Sequence, residues 1–237
     1  ARPNHPNSSI QSSMLNQENR NGNTFNGNAF VDITFLKDFK FTFNVGTTVN
    51  EIRYYTTTNP YYGFGAEQNG TVTMYHYRTT TLNLQQILNY SHNFGKHNIS
   101  VMLGHESYKY NYAELSASKK NMFSYWGNHE LNGAVIDGSS AASYSNDYNT
   151  EGYFFRALYD YDAKYYFSAS YRRDASSRFH PDHWWGNFYS VGGAYLMSKE
   201  DWFDVKWIDM LKIKFSIGQQ GNDNIGSYNY TDRYNIV

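Results

Sequence analysis

The sequence predicts an all-β fold in which antiparallel strands form part of a transmembrane β-barrel. Three observations carry this prediction. From about residue 28 onward, apolar and polar residues alternate at a period of two, which places one face of each strand in an apolar medium and the other in water. The connections alternate between tight turns (Lys37-Asp38, Gly95-Lys96, Asp162-Ala163) and long polar stretches (51–78, 116–150), the asymmetry of outer-membrane barrels. Tyr, Phe and Trp gather near strand ends, in "RYY" (53–55), "YDYDAKYYF" (159–167) and "HWWGNFY" (183–189), where membrane-interface girdles belong.

Taken in order, residues 1–27 are Asn- and Ser-rich and read as a polar loop segment. The barrel portion is 28–237. Val31, Ile33 and Phe35 alternate with Asp32 and Thr34, and after the Lys37-Asp38 turn Phe39, Phe41, Phe43 and Val45 alternate with Lys40, Thr42 and Asn44. Leu82, Leu84, Leu88 and Tyr90 are interleaved with Asn83, Gln85 and Asn89, and Ile99, Val101 and Leu103 with Asn98 and Ser100. Phe155, Ala157, Tyr159 and Tyr161 precede the Asp162-Ala163 turn, and Phe167, Ala169 and Tyr171 follow it. In "SKEDWFDVKWIDM" (198–210), Ser198 and Asp201 stand at capping-box spacing and predict a short helical turn. Leu211, Ile213, Phe215 and Ile217 then alternate with lysines and Ser216. About nine strands result.

Outward residues are expected to be Val31, Ile33, Phe41, Leu84, Val101, Phe167 and Ile213, with Phe167 near mid-strand; lumen-facing polar residues are Lys40, Asn83, Arg156, Arg172 and Lys212. The first and last strands have no closing partner, and lipid does not tolerate open sheet edges, so a larger barrel is expected. The chain opens without Met or an export signal and reads as a piece of a longer protein.

Composition narrows the function classes. Charged residues are 17% of the chain against about 25% in soluble domains. A net charge of −1 gives no footprint for a nucleic acid, and the absence of cysteine rules out a disulfide framework or thiolate metal site. No apolar run is long enough for a membrane helix. His180, Asp182 and His183 share one loop with Pro181 between them, a weak basis for a metal site. The glutamates are scattered, Ser176-Ser177 lacks the Gly-x-Ser-x-Gly frame, and Gly218-Gln219-Gln220-Gly221 is not followed by Lys-Ser/Thr. The reading is therefore of a non-enzyme with no catalytic residues, metal or cofactor. Loop aromatics are candidate substrate contacts: Tyr61, Tyr62, Tyr125, Trp126, Trp184 and Trp185. Arg173 and Arg178 are expected to pair with Asp174 across their loop. A self-contained β-rich surface adhesin or carbohydrate-binding protein is the alternative.

Residues 152–230 carry a more specific signal. Arg172-Arg173-Asp174, Ser176-Ser177-Arg178-Phe179, Pro181, Trp185-Gly186 and Ser190-Val191 are followed by Trp207-Ile208, Leu211-Lys212, Gly218-Gln219 and Gly221-Asn222. This pattern, with the hairpin "GYFFRALYDYDAKYYFSASYRRD" before it, closely resembles the SusC/RagA family of TonB-dependent outer-membrane transporters. Ala175, Tyr189 and Gln220 depart from residues common in the family. The resemblance implies a plugged barrel of about 22 strands in the outer membrane of a Bacteroidota-like Gram-negative cell. It also implies import of an oligosaccharide or peptide, a SusD-like surface lipoprotein as lid, and energy from the TonB complex acting through an N-terminal part. The plug and the last strands are expected outside this chain.

Overall fold

The structure, a computed structural model, describes residue 10 and residues 14–127, 129–227 and 230–231. Among the described residues eight strands form one sheet in chain order: β1 (Gln17–Phe35), β2 (Phe39–Thr58), β3 (Thr71–Phe94), β4 (His97–Met122), β5 (Ala134–Tyr161), β6 (Tyr165–Ser176), β7 (Trp185–Leu196) and β8 (Lys212–Gly218). Each neighbour is its predecessor in sequence, so the sheet is an antiparallel meander. Among the described residues no helix is long and apolar enough to cross a membrane.

The turns explain the order. Leu36 and Lys37 have φ of 47° and 65°, and Asp162 and Ala163 have φ of 56° and 50°. Consecutive left-handed residues match the right-handed twist of the flanking strands and so close a tight hairpin. The first turn is thus centred on Leu36-Lys37, one residue earlier than the charge pattern suggests.

The chain divides into two compact units, to both of which β1–β5 contribute. The first comprises residues 1–26, 48–80 and 111–147. Its small core is Val72, Met122, Tyr125 and Ala134, with Met74 and Leu131 packed against it. Asn59 is buried and shapes the loop after β2: its Oδ1 accepts from the backbone N–H groups of Tyr61 (3.0 Å) and Tyr62 (2.8 Å). Such an Asx turn supplies the bonds that strand pairing no longer makes. Much of this unit was expected to be loop, and the structure corrects that. Residues 17–27 are strand, and the stretches 51–78 and 116–150 are strand except at 59–70 and 123–133. Polar residues pair across these strands, as Thr24 does with Asn50 (2.9 Å) and Thr48 with Asn26 (2.8 Å). Where polar residues interrupt an apolar face the alternation fades, while the backbone ladder persists.

The second unit comprises residues 27–47, 81–110 and 148–237. Here the register sorts the two faces. Opposite one another on the apolar face lie Tyr161, Tyr165 and Tyr195; Tyr159, Phe167, Gly193 and Phe215; Ala157, Ala169, Val191 and Ile217; and Phe155, Tyr171 and Tyr189. On the polar face lie Asp160, Tyr166, Ala194 and Lys214; Leu158, Ser168, Gly192 and Ser216; and Arg156, Ser170, Ser190 and Gly218. Large apolar side chains stand uncovered on the first face, Phe167 at 58% exposure and Ile217 at 76%. Contiguous exposure of this kind calls for an apolar medium or a partner.

Two lines bound that face. A ladder of ring contacts runs through Phe35, Phe39, Tyr90, His92, Phe94, His97, Tyr161, Tyr165 and Tyr195, with successive centroids 4.8 to 6.4 Å apart. The other line is polar and aromatic. His105 bonds Gln86 (2.6 Å) and Glu151 (3.2 Å), Tyr153 Oη donates to Glu151 (2.8 Å), and the Tyr153 ring stacks on Trp185, over which Arg173 lies at 5.1 Å. On β4, β5 and β6 the lines are the same number of residues apart: His97 to His105, Tyr161 to Tyr153, Tyr165 to Arg173.

The connection between β7 and β8 contains a 3-10 turn at Met197–Lys199 with no side-chain cap. The capping box expected at Ser198 is therefore not formed. Glu200 instead ties the segment back, accepting from Lys164 Nζ (3.1 Å) and Tyr165 Oη (2.8 Å). Those bonds from Tyr165 and then Lys164 hold the Glu200 carboxyl below the usual range, and the bond to Glu200 raises Lys164.

Candidate functional site

The densest set of charges lies on the polar face of the second unit. Arg172 and Asp174 are two residues apart on β6 and so share a face. The Arg172 guanidinium donates to Asp174 through Nε (3.0 Å) and Nη2 (2.9 Å), and Nη2 also meets Glu106 of β4. Gln85 donates to Glu106 (3.4 Å) and accepts from Asn44 (3.2 Å), so one polar line crosses β2, β3, β4 and β6. Gly152 makes room for it. A Cβ there would lie 2.5 Å from Asp174 Oδ1 and 3.2 Å from Arg172 Nη2.

Beside this triad the β6–β7 loop is fastened to the segment after β8. Ser176 Oγ donates to Asp223 Oδ2 (2.9 Å), Arg178 Nη1 donates to the Asp223 carbonyl (2.9 Å), and Tyr148 Oη donates to the Asp223 carboxylate. The Arg178 guanidinium sits 4.2 Å over the Tyr148 ring, a favourable cation–π distance. Burial, and then the bond to the Asp223 carboxylate, push the Tyr148 hydroxyl up to about 12. Burial alone would raise Asp223, but the hydrogen bonds from Tyr148 and Ser176 and the Arg178 charge outweigh it and hold the carboxyl low.

Between the two clusters opens a cleft of about 390 Å³ with Glu106, Arg172, Asp174, Trp184, Phe188 and Asp223 among its walls. It offers charge-assisted hydrogen bonds beside aromatic surface, which suits a polar ligand held without bond chemistry. Both triad carboxylates are engaged by Arg172. Among the described residues no group of three or more His, Cys, Asp or Glu is placed to hold a metal ion. His180 Nδ1 accepts from the Asp182 backbone (3.3 Å), and the His183 ring lies 6.3 Å from that of His180.

The candidate substrate aromatics fall in different settings. Tyr61, Tyr62, Tyr125 and Trp126 belong to the first unit. Tyr61 and Trp126 are exposed and meet the Tyr125 ring edge-on at 6.2 and 5.3 Å. Tyr125 itself is 2% exposed and donates to the Leu15 carbonyl. It is a core residue and has no ring face free for a ligand. Trp184 lines the cleft, its Nε1 donating to the Phe179 carbonyl (2.8 Å). Trp185 is a strand residue and not a loop residue. It pairs with Ala175 on the apolar face, where its ring meets Tyr153 and Arg173.

The residues expected to face a lumen share the polar face. Lys40 pairs with Asp32 (3.0 Å), Asn83 stands two residues from Gln85, Arg156 lies opposite Ser170, and Lys212 Nζ lies 3.7 Å over the Tyr166 ring. The expected pairing of Arg173 and Arg178 with Asp174 is not what forms. Arg173 is on the opposite face, and Arg178 turns to Asp223. Glu106, Tyr148, Gly152 and Asp223 were not singled out in sequence. Their only signal is the parity of Arg172 and Asp174, which asks for cross-strand partners without naming them.

No protein-family profile matches the chain. Individual proteins do. It is 28% identical over 228 residues to TonB-dependent receptor P3 of Formosa agariphila, covering 93% of this chain and 22% of that one. It is 27% identical over 233 residues to TonB-dependent receptor SusC of Bacteroides thetaiotaomicron, covering 94% and 22%. The chain thus spans about a fifth of the length of these relatives. Among solved structures, the RagAB peptide importer in its closed-closed state superposes with a TM-score of 0.85 at 25% identity, over 91% of this chain and 24% of that one. The open-open state gives 0.83 at 26% identity. With Arg172-Arg173-Asp174 on β6 and Gly221-Asn222-Asp223 after β8 flanking one cleft, the chain is similar in sequence and fold to a barrel segment of the SusC/RagA family of TonB-dependent receptors.

Proposed function

We propose that the chain forms part of the wall of an outer-membrane receptor that imports a large nutrient, an oligosaccharide or a peptide, by gating and without bond chemistry. Its partners in this reading are a SusD-like surface lipoprotein and the TonB complex, the latter acting through a part of the receptor outside this chain. The observation that carries the reading is the apolar face bounded by two lines. The interval His97–His105, repeated on β5 and β6, is roughly 26 Å along a strand and roughly 20 Å across a bilayer at the usual tilt, near the ~25 Å apolar band of outer-membrane barrels. Tyr and His populate both lines, joined by Phe on the first and by Trp185 and Arg173 on the second, as girdles do. Arg156, Arg172 and Lys212 then wet the lumen. Trp184 in the cleft and, in the first unit, the exposed Tyr61 and Trp126 with the half-buried Tyr62 are the proposed substrate contacts.

The relatives support import, since RagAB is described as a peptide importer. Cysteine scanning tests the membrane reading, because this chain has no cysteine of its own. In the full receptor in native membranes, Ser168→Cys and Ser170→Cys should react with a membrane-impermeant maleimide, while Phe167→Cys and Ala169→Cys should not. Equal labelling of all four would refute the reading. Deleting the receptor gene should abolish growth on limiting oligosaccharide or peptide; unimpaired growth on both would refute import.

A further inference from the structure

The β7–β8 connection lies at the same end of the sheet as the short turns, and its own ends are closed by Ser198 N–H on the Leu211 carbonyl (3.4 Å). Between them stand Trp202, Phe203, Val205, Trp207, Ile208 and Met210. Trp202 is 64% exposed, Trp207 83% and Met210 69%. A turn facing only water gains nothing from uncovered tryptophans.

Glu200 shows which way the segment leaves the sheet. Its Oε1 accepts from Tyr165 Oη (2.8 Å) and Tyr195 Oη (3.2 Å). Both tyrosines belong to the apolar face, and their rings, 4.9 Å apart, form the last step of the aromatic ladder. The segment is therefore tied down directly beneath that ladder. Trp202 is two residues further on, so its Cα stays within about 7 Å of that of Glu200. Charge selects the surface it can meet. Glu200, Asp201, Asp204 and Asp209 outnumber Lys199 and Lys206, so an anionic surface would repel the segment and a zwitterionic one would not.

We propose that residues 201–210 form an interfacial foot, with Trp202 and Trp207 seated in the headgroup and glycerol layer of the phospholipid leaflet at the short-turn end, continuing the aromatic ladder beyond the sheet. This rests on the membrane reading above. Amphipathic indole rings favour that layer, where the ring is half desolvated and the N–H still finds an acceptor.

The test uses the full receptor in phosphatidylcholine vesicles, with single-tryptophan variants and brominated lipids. Emission from Trp202 and Trp207 should be lost most to bromines near the glycerol, and emission from a Phe167→Trp reporter most to bromines deeper in the chains. Unquenched Trp202 and Trp207 beside a deeply quenched Phe167→Trp would overturn the foot and leave the membrane reading standing. If none of the three is quenched, the membrane reading fails first. Should tryptophan-depleted variants not fold, nitroxide labels at Trp202→Cys and Trp207→Cys in the otherwise native receptor give the same reading. Collision with oxygen should exceed collision with a water-soluble nickel chelate, and the reverse order overturns the proposal.

Discussion

Placing an arginine at successive outward positions of β6 measures the apolar band directly. Tyr165 and Arg173 mark its two edges, so Ala169, paired with Ala157 and Val191, lies midway, and Phe167 lies nearer the Tyr165 edge. Sequence alone put Phe167 at mid-strand; the register moves the middle two residues along. Ala169→Arg should cost about 2–4 kcal/mol, the midplane penalty, and Tyr165→Arg about 0–1 kcal/mol, the penalty near an interface. Phe167→Arg should fall between. Arg173 shows that the native chain already carries this residue at the far edge, with its guanidinium on Trp185. Ser170→Arg, on the polar face, should cost little. A 2–4 kcal/mol change is roughly a 30- to 700-fold shift in the folding equilibrium, readable by urea titration of the receptor in vesicles. A flat profile, or a greater loss at Ser170→Arg than at Ala169→Arg, would refute the assignment of faces.

Three further outcomes are expected. Gly152→Val should displace Asp174 from Arg172, because even a Cβ at that position meets Asp174 Oδ1 at 2.5 Å; a loss of about 1–3 kcal/mol in unfolding stability is the usual scale of overpacking, and an unchanged melting temperature would show that the triad relaxes freely. Tyr148 titrates near 10.0 when unfolded and about 12 when folded, so its contribution is complete below pH 10, declines as pH rises through that window, and is lost above it; unfolding followed against pH should show this alkaline decline in the native receptor but not in Tyr148→Phe, and identical slopes would contradict the buried Tyr148–Asp223 bond. Tyr125→Ala should cost about 3–5 kcal/mol locally, as for other large aromatic core truncations, and should appear as faster proteolysis within 59–70 and 123–133; unchanged cleavage would argue against Tyr125 as the core of the first unit.

Much of the fold was legible because the second unit's sheet has one apolar and one polar face. Val31, Ile33, Phe167 and Ile213 declare themselves by alternation, and the Asp162-Ala163 turn by its place between two alternating runs. Motif likeness over residues 152–230 then supplied the resemblance to the SusC/RagA family. The sequence said little about residues 17–27, 51–58 and 134–150, which are strand all the same. There polar residues interrupt the alternation, and only the hydrogen-bond ladder reveals the strand.

The site was less legible for a different reason. Arg172 and Asp174 were visible as charges, and their shared parity was available, but Glu106 is far away in sequence and joins them only through the pairing of intervening strands. Trp184 and Trp185 are adjacent in sequence and both border the cleft, but β7 begins at Trp185, which pairs with Ala175 and sets its ring against Tyr153, while Trp184 bonds the Phe179 carbonyl in the loop. Sequence by itself determined the strand period, the position of most turns and the likeness to a known family. Only the tertiary structure decided which charges meet and which aromatics are core, rim or cleft. Periodicity is a local record of the medium on each side of a strand, whereas contact across strands depends on register, which the turns and the backbone ladder set together.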